Sequence, residues 1–158
     1  MKRFLVIFFL ILALCTGMFF SMSVSSVSEG PEAVNGVLDF RGTDFTSSVY
    51  HLNGQWEFYY DCLYTPEDFR QGVPTGGEFL TLPNSWNVNG YPALGHATFR
   101  LLIQAEPGEH YLLFIPEIIS SAVIWSNGTE LYRAGVVGDS AANTVTGVRN
   151  ELLAVSPE

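Results

Sequence analysis

The amino-acid sequence predicts an all-β fold, a β-sandwich or jelly roll, because short strands and turns alternate along most of the chain. From Val37 onward, apolar and aromatic runs recur at intervals of about ten residues, with glycine and proline between them. Asn-Gly dipeptides, which favour tight hairpin turns, stand beside two of these runs. No long window after the N-terminal segment has a helical period, so helices are not expected to form the core.

Alternation of apolar and polar residues, or a short continuous apolar run, identifies each strand. Leu38 and Phe40 alternate with Asp39, and hairpins are predicted to turn at Asn53-Gly54 and Asn127-Gly128. The predicted strands are residues 37–40, 49–52, 55–60, 78–82, 98–104, 111–115, 122–126, 129–133 and 151–155.

The strand "QWEFYY" carries Trp56, Phe58 and Tyr60 on one face, and we expect Trp56 and Phe58 to lie in the core. After it, "YTPEDF" predicts one short helical turn that begins at Thr65 and Pro66. Proline is favoured in the first turn of a helix, and threonine is favoured just before it.

The second half of the chain continues the same alternation of short strands and turns. Residues 98–104 alternate as one strand. Residues 111–115 are apolar at every position, which is typical of a strand that is covered on both sides or lies in the core of a sandwich. Residues 151–155 resemble the beginning of a further strand. A jelly roll closes with strands that pair beside the first ones, so the sequence predicts a sandwich that lacks its last C-terminal strands.

The N-terminal segment predicts export. Lys2 and Arg3 precede a continuous apolar run, residues 4–14, as in a secretory signal peptide. Small residues between 21 and 28 fit a cleavage site, while further apolar residues at 18–20 leave a retained signal anchor as the alternative. The predicted organisation is a signal peptide or signal anchor at residues 1–28, a linker at 29–36 and a C-terminally truncated jelly roll at 37–158. We therefore expect a periplasmic or extracellular protein that is membrane-attached at full length.

The charge of the chain limits the kinds of binding partner, and its cysteine content limits the disulfides that it can form. The net charge is −9, and the basic residues outside the N-terminal segment are all arginines. Such an acidic surface repels phosphate backbones and anionic headgroups, so nucleic acid is not an expected partner. Membrane contact is expected only through the N-terminal segment or a missing C-terminal region. Cys62 is the only cysteine after the signal, which excludes a disulfide within the domain.

Residues able to do chemistry are scattered along the chain. The histidines are isolated from one another and do not have metal-ligand spacing: His51, His96 and His110. The spacing of the carboxylates does not suggest a catalytic pair: Glu57 lies on the strand "QWEFYY", Asp61 ends that strand, and Glu117 follows the apolar strand 111–115. Nucleotide-binding loops and a nucleophile elbow are absent from the sequence. We expect no catalytic residue, no metal site and no cofactor.

Aromatic residues and amides are the most promising binding groups. Trp86 lies in the turn "LPNSWN", where a rim position could stack against a sugar ring. The long Gly- and Pro-containing connection that follows supplies amides and further rings. The candidate ligand-binding residues are Trp86, Asn87, Asn89, Tyr91, His96 and Arg100. The expected ligand is a carbohydrate or another small polar molecule.

Ordered motifs give the chain a family resemblance. The segments "LNGQWEFYY", "LPNSWN", "GHATFRLLI", "FIPEIISSAVIWSNGTEL" and "AGVVG" follow one another between residues 52 and 138. In this order the chain resembles the N-terminal extracytoplasmic jelly roll of bacterial seven-transmembrane receptors with diverse intracellular signalling modules. It is more distantly similar to the sugar-binding sandwich domain of glycoside hydrolase family 2. Asn84 stands where the receptor pattern has glycine, and Phe99 stands where it has tyrosine.

The resemblance implies a galactose-binding-like jelly roll whose matching residues are mainly scaffold positions. It also implies a function: a non-catalytic, extracytoplasmic ligand-sensing module of a bacterial membrane signalling receptor. The alternative is a non-catalytic, sugar-binding accessory domain of a secreted glycoside hydrolase. Neither family places catalytic residues in this segment.

Overall fold

The structure, a computed structural model, describes residues 29–157, and the predicted leader lies outside them. Strands make up 44% of it, mostly in antiparallel sheets, so the predicted all-β class is confirmed. The strands are β1 (Val37–Asp39), β2 (Gly54–Tyr60), β3 (Glu78–Leu82), β4 (Ala97–Arg100), β5 (Leu102–Gln104), β6 (Tyr111–Ser120), β7 (Ala122–Ser126), β8 (Thr129–Ala134) and β9 (Gly147–Val155). The helices are α1 (Pro66–Gln71) and a 3-10 helix (Trp86–Asn89).

The described strands form four small sheets. β2 lies between β3 and β4 in an antiparallel three-stranded sheet, and β1 pairs with β5 in parallel. β6 pairs with β9, and β7 pairs with β8, as antiparallel ribbons. Ile115 from β6 and Tyr132 and Ala134 from β8 form a buried cluster that both ribbons share, an arrangement like that of a sandwich.

Two local predictions are confirmed by their backbone geometry. Asn127 and Gly128 both have positive φ, 49° and 82°, as a two-residue hairpin turn requires. α1 begins where predicted, after Thr65, and the Asp68 carboxylate accepts hydrogen bonds of 2.7 Å from both the backbone amide and the hydroxyl of Thr65. These bonds hold the pKa of Asp68 below its usual value.

The hairpin predicted at Asn53-Gly54 is wrong, because residues 49–52 form no extended strand. Gly54 instead begins β2, opposite Leu82, and the backbone of Ala33 runs beside it as a parallel β-bridge. A Cβ on Gly54 would lie 2.3 Å from the Ala33 nitrogen, so only glycine allows this close approach. Ala33, which lies in the segment predicted as a linker, thus pairs with the first residue of β2.

Two predicted strands, residues 98–104 and 111–115, differ in the structure from what the sequence predicted. Residues 98–104 are interrupted at Leu101, because β4 pairs with β2 while β5 pairs with β1. Of the two alternatives for residues 111–115, coverage on both sides is not met by the described residues, whereas the face that carries Leu113 and Ile115 packs in a sandwich-like core. Ile115 is buried, whereas Leu112 and Phe114 remain exposed on the other face of β6. The sheets all belong to one compact unit of the chain, and Asp44–Tyr50 belongs to another.

Candidate functional site

An aromatic cluster covers one face of the sheet formed by β2, β3 and β4. It consists of Phe58, Tyr60, Trp86, Tyr91 and Phe99. Phe58 is 1% exposed and lies directly opposite Phe99 across the strand pair, with ring centroids 4.8 Å apart. The Tyr91 ring meets Phe58 edge-on at 5.0 Å. These contacts are in the distance range in which aromatic pairs stabilise a fold beyond simple burial.

Trp86 is held above this sheet by the first position of the 3-10 helix. Its ring is nearly parallel to the Phe99 ring, at an interplanar angle of 17° and a centroid distance of 6.4 Å. Its indole Nε1 donates a 2.8 Å hydrogen bond to the carbonyl oxygen of Pro92. Gly90, with φ 91°, ends the helix and turns the chain toward Pro92. The indole is therefore fixed at both ends and remains only half-buried.

We call residues 83–96 the site loop, and two further hydrogen bonds hold it in place. The Tyr60 hydroxyl donates to the carbonyl oxygen of Leu94 at 3.2 Å. The Tyr91 hydroxyl is hydrogen-bonded to the Glu78 carboxylate, which raises the pKa of Tyr91 above its usual value. Together with the Trp86 bond, these contacts make the loop a preformed surface that needs little ordering when a ligand binds.

Asn87 and Asn89 lie on the exposed side of the 3-10 helix, next to Trp86. Neither side-chain amide is hydrogen-bonded to another residue in the described part of the chain, so both can offer donors and acceptors to a ligand. The surface near them is otherwise apolar, with Val88 65% and Leu94 90% exposed. No Asp, Glu, Lys or Arg occurs between Pro83 and Gly95.

His96 is directed toward a carboxylate. Its Nε2 lies 3.4 Å from Oδ1 of Asp61, and only 16% of its side chain is exposed. Its carbonyl oxygen accepts the backbone N–H of Asp61 at 2.9 Å. His96 therefore attaches the end of the site loop to the end of β2, which is a positioning role.

Arg100 lies on the opposite face of the sheet from the aromatic cluster. It pairs across the strands with Glu57, and its Nη1 donates to both carboxylate oxygens, at 2.7 and 2.9 Å. The guanidinium also lies over the ring of Phe69, 5.1 Å from its centroid. The second Glu57 oxygen accepts a 3.0 Å hydrogen bond from Tyr59. Burial and this bond raise the pKa of Tyr59 to about 12.

The structure thus separates the predicted binding residues into two groups. Trp86 and Tyr91 come together in the aromatic cluster, with Asn87 and Asn89 beside them, whereas His96 and Arg100 are engaged by carboxylates. The sequence-based reasoning missed Phe99 as a support for the indole, although its alternation with Arg100 already predicted opposite faces. Nothing in the sequence could have shown the Glu57–Arg100 pair, because that pairing depends on the register between β2 and β4.

The arrangement offers stacking and hydrogen bonding. Across residues 29–157, no group of three or more His, Cys, Asp or Glu side chains is placed to hold a metal ion. None of the helices in the same residues has the length and apolar character that a bilayer crossing needs. No family model, no curated protein and no solved structure matches this chain.

Proposed function

We propose that this chain is a non-catalytic, extracytoplasmic ligand-binding module that takes a carbohydrate or a similar small polar molecule on the site loop. The observation that carries the proposal is the fixed, half-buried indole of Trp86 with the exposed amides of Asn87 and Asn89 beside it. A flat ring flanked by amide donors and acceptors matches a sugar, which has an apolar face and hydroxyl groups at its edge.

The finer fold belongs to the same proposal. A galactose-binding-like jelly roll at residues 37–158 is supported by the strand-rich architecture and by the packing of β6–β9 on β7–β8. The order of the motifs in the sequence supports a sensing role in a bacterial membrane signalling receptor, after export directed by residues 1–28. Reading the gene downstream tests this part: seven apolar spans would support the receptor, and a catalytic barrel would favour the glycoside hydrolase.

The binding proposal is tested with a glycan array followed by calorimetric titration of any sugar that is retained. We expect Trp86→Ala to weaken binding by about tenfold, since an aromatic contact contributes about 0.5–1.5 kcal/mol beyond the area it buries. Asn87→Ala should weaken binding about threefold to tenfold, the value of one net hydrogen bond of about 0.5–1.5 kcal/mol. Asn87 is exposed, so its loss should leave thermal unfolding unchanged.

Trp125 is the matched control. Trp125 lies on β7, outside the site loop, and is 36% exposed, so Trp125→Ala should leave the affinity for the ligand unchanged. No response to any sugar on the array would remove the carbohydrate part of the proposal. Equal loss in the Trp86 and Trp125 variants would mean that the site loop is not the binding surface.

A further inference from the structure

The charge distribution of the described residues bears on which sugars the site loop can take. All arginines of residues 29–157 lie against carboxylates, and the chain has no lysine after Lys2. The ion pairs are Arg41–Asp39, Arg70–Glu67, Arg100–Glu57, Arg133–Glu130 and Arg149–Glu151. Because a carboxylate neutralises each guanidinium, the described surface presents no arginine whose charge is left for an anionic ligand.

The site loop itself is built from uncharged groups. Between Pro83 and Gly95 there is no Asp, Glu, Lys or Arg, and the exposed polar side chains next to Trp86 are the amides of Asn87 and Asn89. Amide groups donate and accept hydrogen bonds without carrying a charge. The loop therefore matches the hydroxyl groups of a sugar and has no group that would neutralise a negative charge.

Carboxylates lie against the site loop from β2 and β3. Glu78, at the start of β3, is hydrogen-bonded to Tyr91 in the aromatic cluster. Asp61 follows β2, and its carboxylate, 76% exposed, lies 3.4 Å from His96 at the end of the loop. An anionic group placed beside Trp86 would meet these negative charges, which oppose its approach.

Arg100 is the arginine closest to the site loop in sequence, yet it is kept away from the binding surface. It lies on the reverse face of the sheet, where its Nη1 donates to both carboxylate oxygens of Glu57. Turning Arg100 toward a ligand would break these bonds and leave the Glu57 carboxylate, which is only 19% exposed, without its cation. The ion pair thus holds the nearest arginine on the side of the sheet that faces away from the loop.

We propose that the site loop selects uncharged sugars and rejects sugars that carry a carboxylate, such as uronic acids. This inference rests on the proposed binding function and narrows its ligand to neutral carbohydrates. A neutral sugar stacks on Trp86 and exchanges hydrogen bonds with water for bonds to the loop amides. A uronate also has to approach a chain with a net charge of −9 and to lose water from its carboxylate without gaining a cation.

A glycan array that presents neutral glycans beside uronate, sialylated and sulfated glycans tests this selectivity on the full chain at neutral pH. Each neutral sugar that is retained is then titrated by calorimetry beside its uronate, as galactose beside galacturonate and glucose beside glucuronate. The two members of such a pair differ only in a hydroxymethyl or a carboxylate group at one carbon. We expect the uronate to bind at least tenfold more weakly than the neutral sugar, because its carboxylate is left unpaired.

Val88→Lys places a cation between Asn87 and Asn89 and should raise the ratio of uronate to neutral-sugar affinity about tenfold. Val148→Lys is the matched control, because it changes the net charge equally from β9, outside the site loop. Val88 is 65% exposed and Val148 is 63% exposed, so neither lysine should alter thermal unfolding. The control should leave the affinity ratio unchanged.

The outcomes separate this inference from the binding function on which it rests. Retention of anionic glycans as strongly as neutral ones would leave the binding function in place and overturn the selectivity. An equal rise of the affinity ratio in both lysine variants, or no rise in Val88→Lys, would also overturn it, because the site loop would then not be the source of the rejection. Retention of no glycan at all would remove the binding of carbohydrate and this inference with it.

Discussion

Replacing Arg100 by methionine tests the ion pair on the β2–β4 sheet most directly. The variant keeps most of the apolar stem but removes the guanidinium that bonds Glu57 and lies over Phe69. A charge-assisted hydrogen bond contributes about 1.5–3 kcal/mol, and a cation–π contact about 0.5–1 kcal/mol. The Arg100 side chain is 34% exposed, so solvent screening reduces the first value. We expect a loss of about 2 kcal/mol in the free energy of unfolding.

Urea unfolding followed by circular dichroism measures this loss, and a double-mutant cycle with Glu57→Gln isolates the pairwise part. We expect a coupling free energy of about 1 kcal/mol. Arg133→Met is the control, because Arg133 also bonds a carboxylate, that of Glu130, but the two side chains are 48% and 40% exposed. That control should lose no more than about 0.5 kcal/mol. Equal losses in the two arginine variants, or a coupling energy near zero, would refute the reasoning.

Three further substitutions test burial and backbone geometry. The pKa of Tyr59 is raised from 10.0 to about 12, so the unfolded chain loses the phenol proton at lower pH than the folded chain does. The free energy of unfolding should therefore keep its full value below pH 10 and fall by up to about 3 kcal/mol as the pH rises to 12. Tyr59→Phe should remove this part of the alkaline fall in stability, and an unchanged fall would contradict the reasoning. Gly54→Ala should lower the free energy of unfolding by more than about 2 kcal/mol, whereas Gly42→Ala, where a Cβ meets nothing within 4 Å, should lower it by about 1 kcal/mol. Similar losses of thermal stability in the two variants would contradict the close approach of the Ala33 backbone to Gly54. Phe58→Ala should cost about 3–5 kcal/mol in urea unfolding, and Phe79→Ala, 50% exposed, clearly less.

Local patterns in the sequence predicted local structure well. Leu38 is fully buried, as its alternation with polar neighbours predicted. The Asn127-Gly128 turn formed because the runs on both sides of it pair with each other, Ser126 opposite Thr129. The same dipeptide at Asn53-Gly54 formed no hairpin, because its glycine is needed where the Ala33 backbone passes. Which of the two uses applies depends on a segment about twenty residues away, which no local pattern encodes.

Sheet partners could not be predicted for the same reason. Residues 98–104 alternate without interruption, yet the first half pairs with β2 in an antiparallel sense and the second half pairs with β1 in a parallel sense. The candidate site shows the same limit. Trp86 and Asn87 were predicted from one turn of the sequence. The contact of Trp86 with Phe99 and the ion pair of Arg100 with Glu57, by contrast, both depend on the register between β2 and β4.

That register also makes the scaffold and the binding surface separable. Phe58 and Phe99 face the site loop, while Glu57 and Arg100 alternate with them on the reverse face. A change in the ion pair should therefore lower the free energy of unfolding while ligand affinity, measured well below the unfolding transition, stays constant. Asn87→Ala should do the reverse. If Arg100→Met changed affinity as strongly as Asn87→Ala, the two faces of this thin sheet would be energetically coupled, and the ligand would sense the ion pair through the strands themselves.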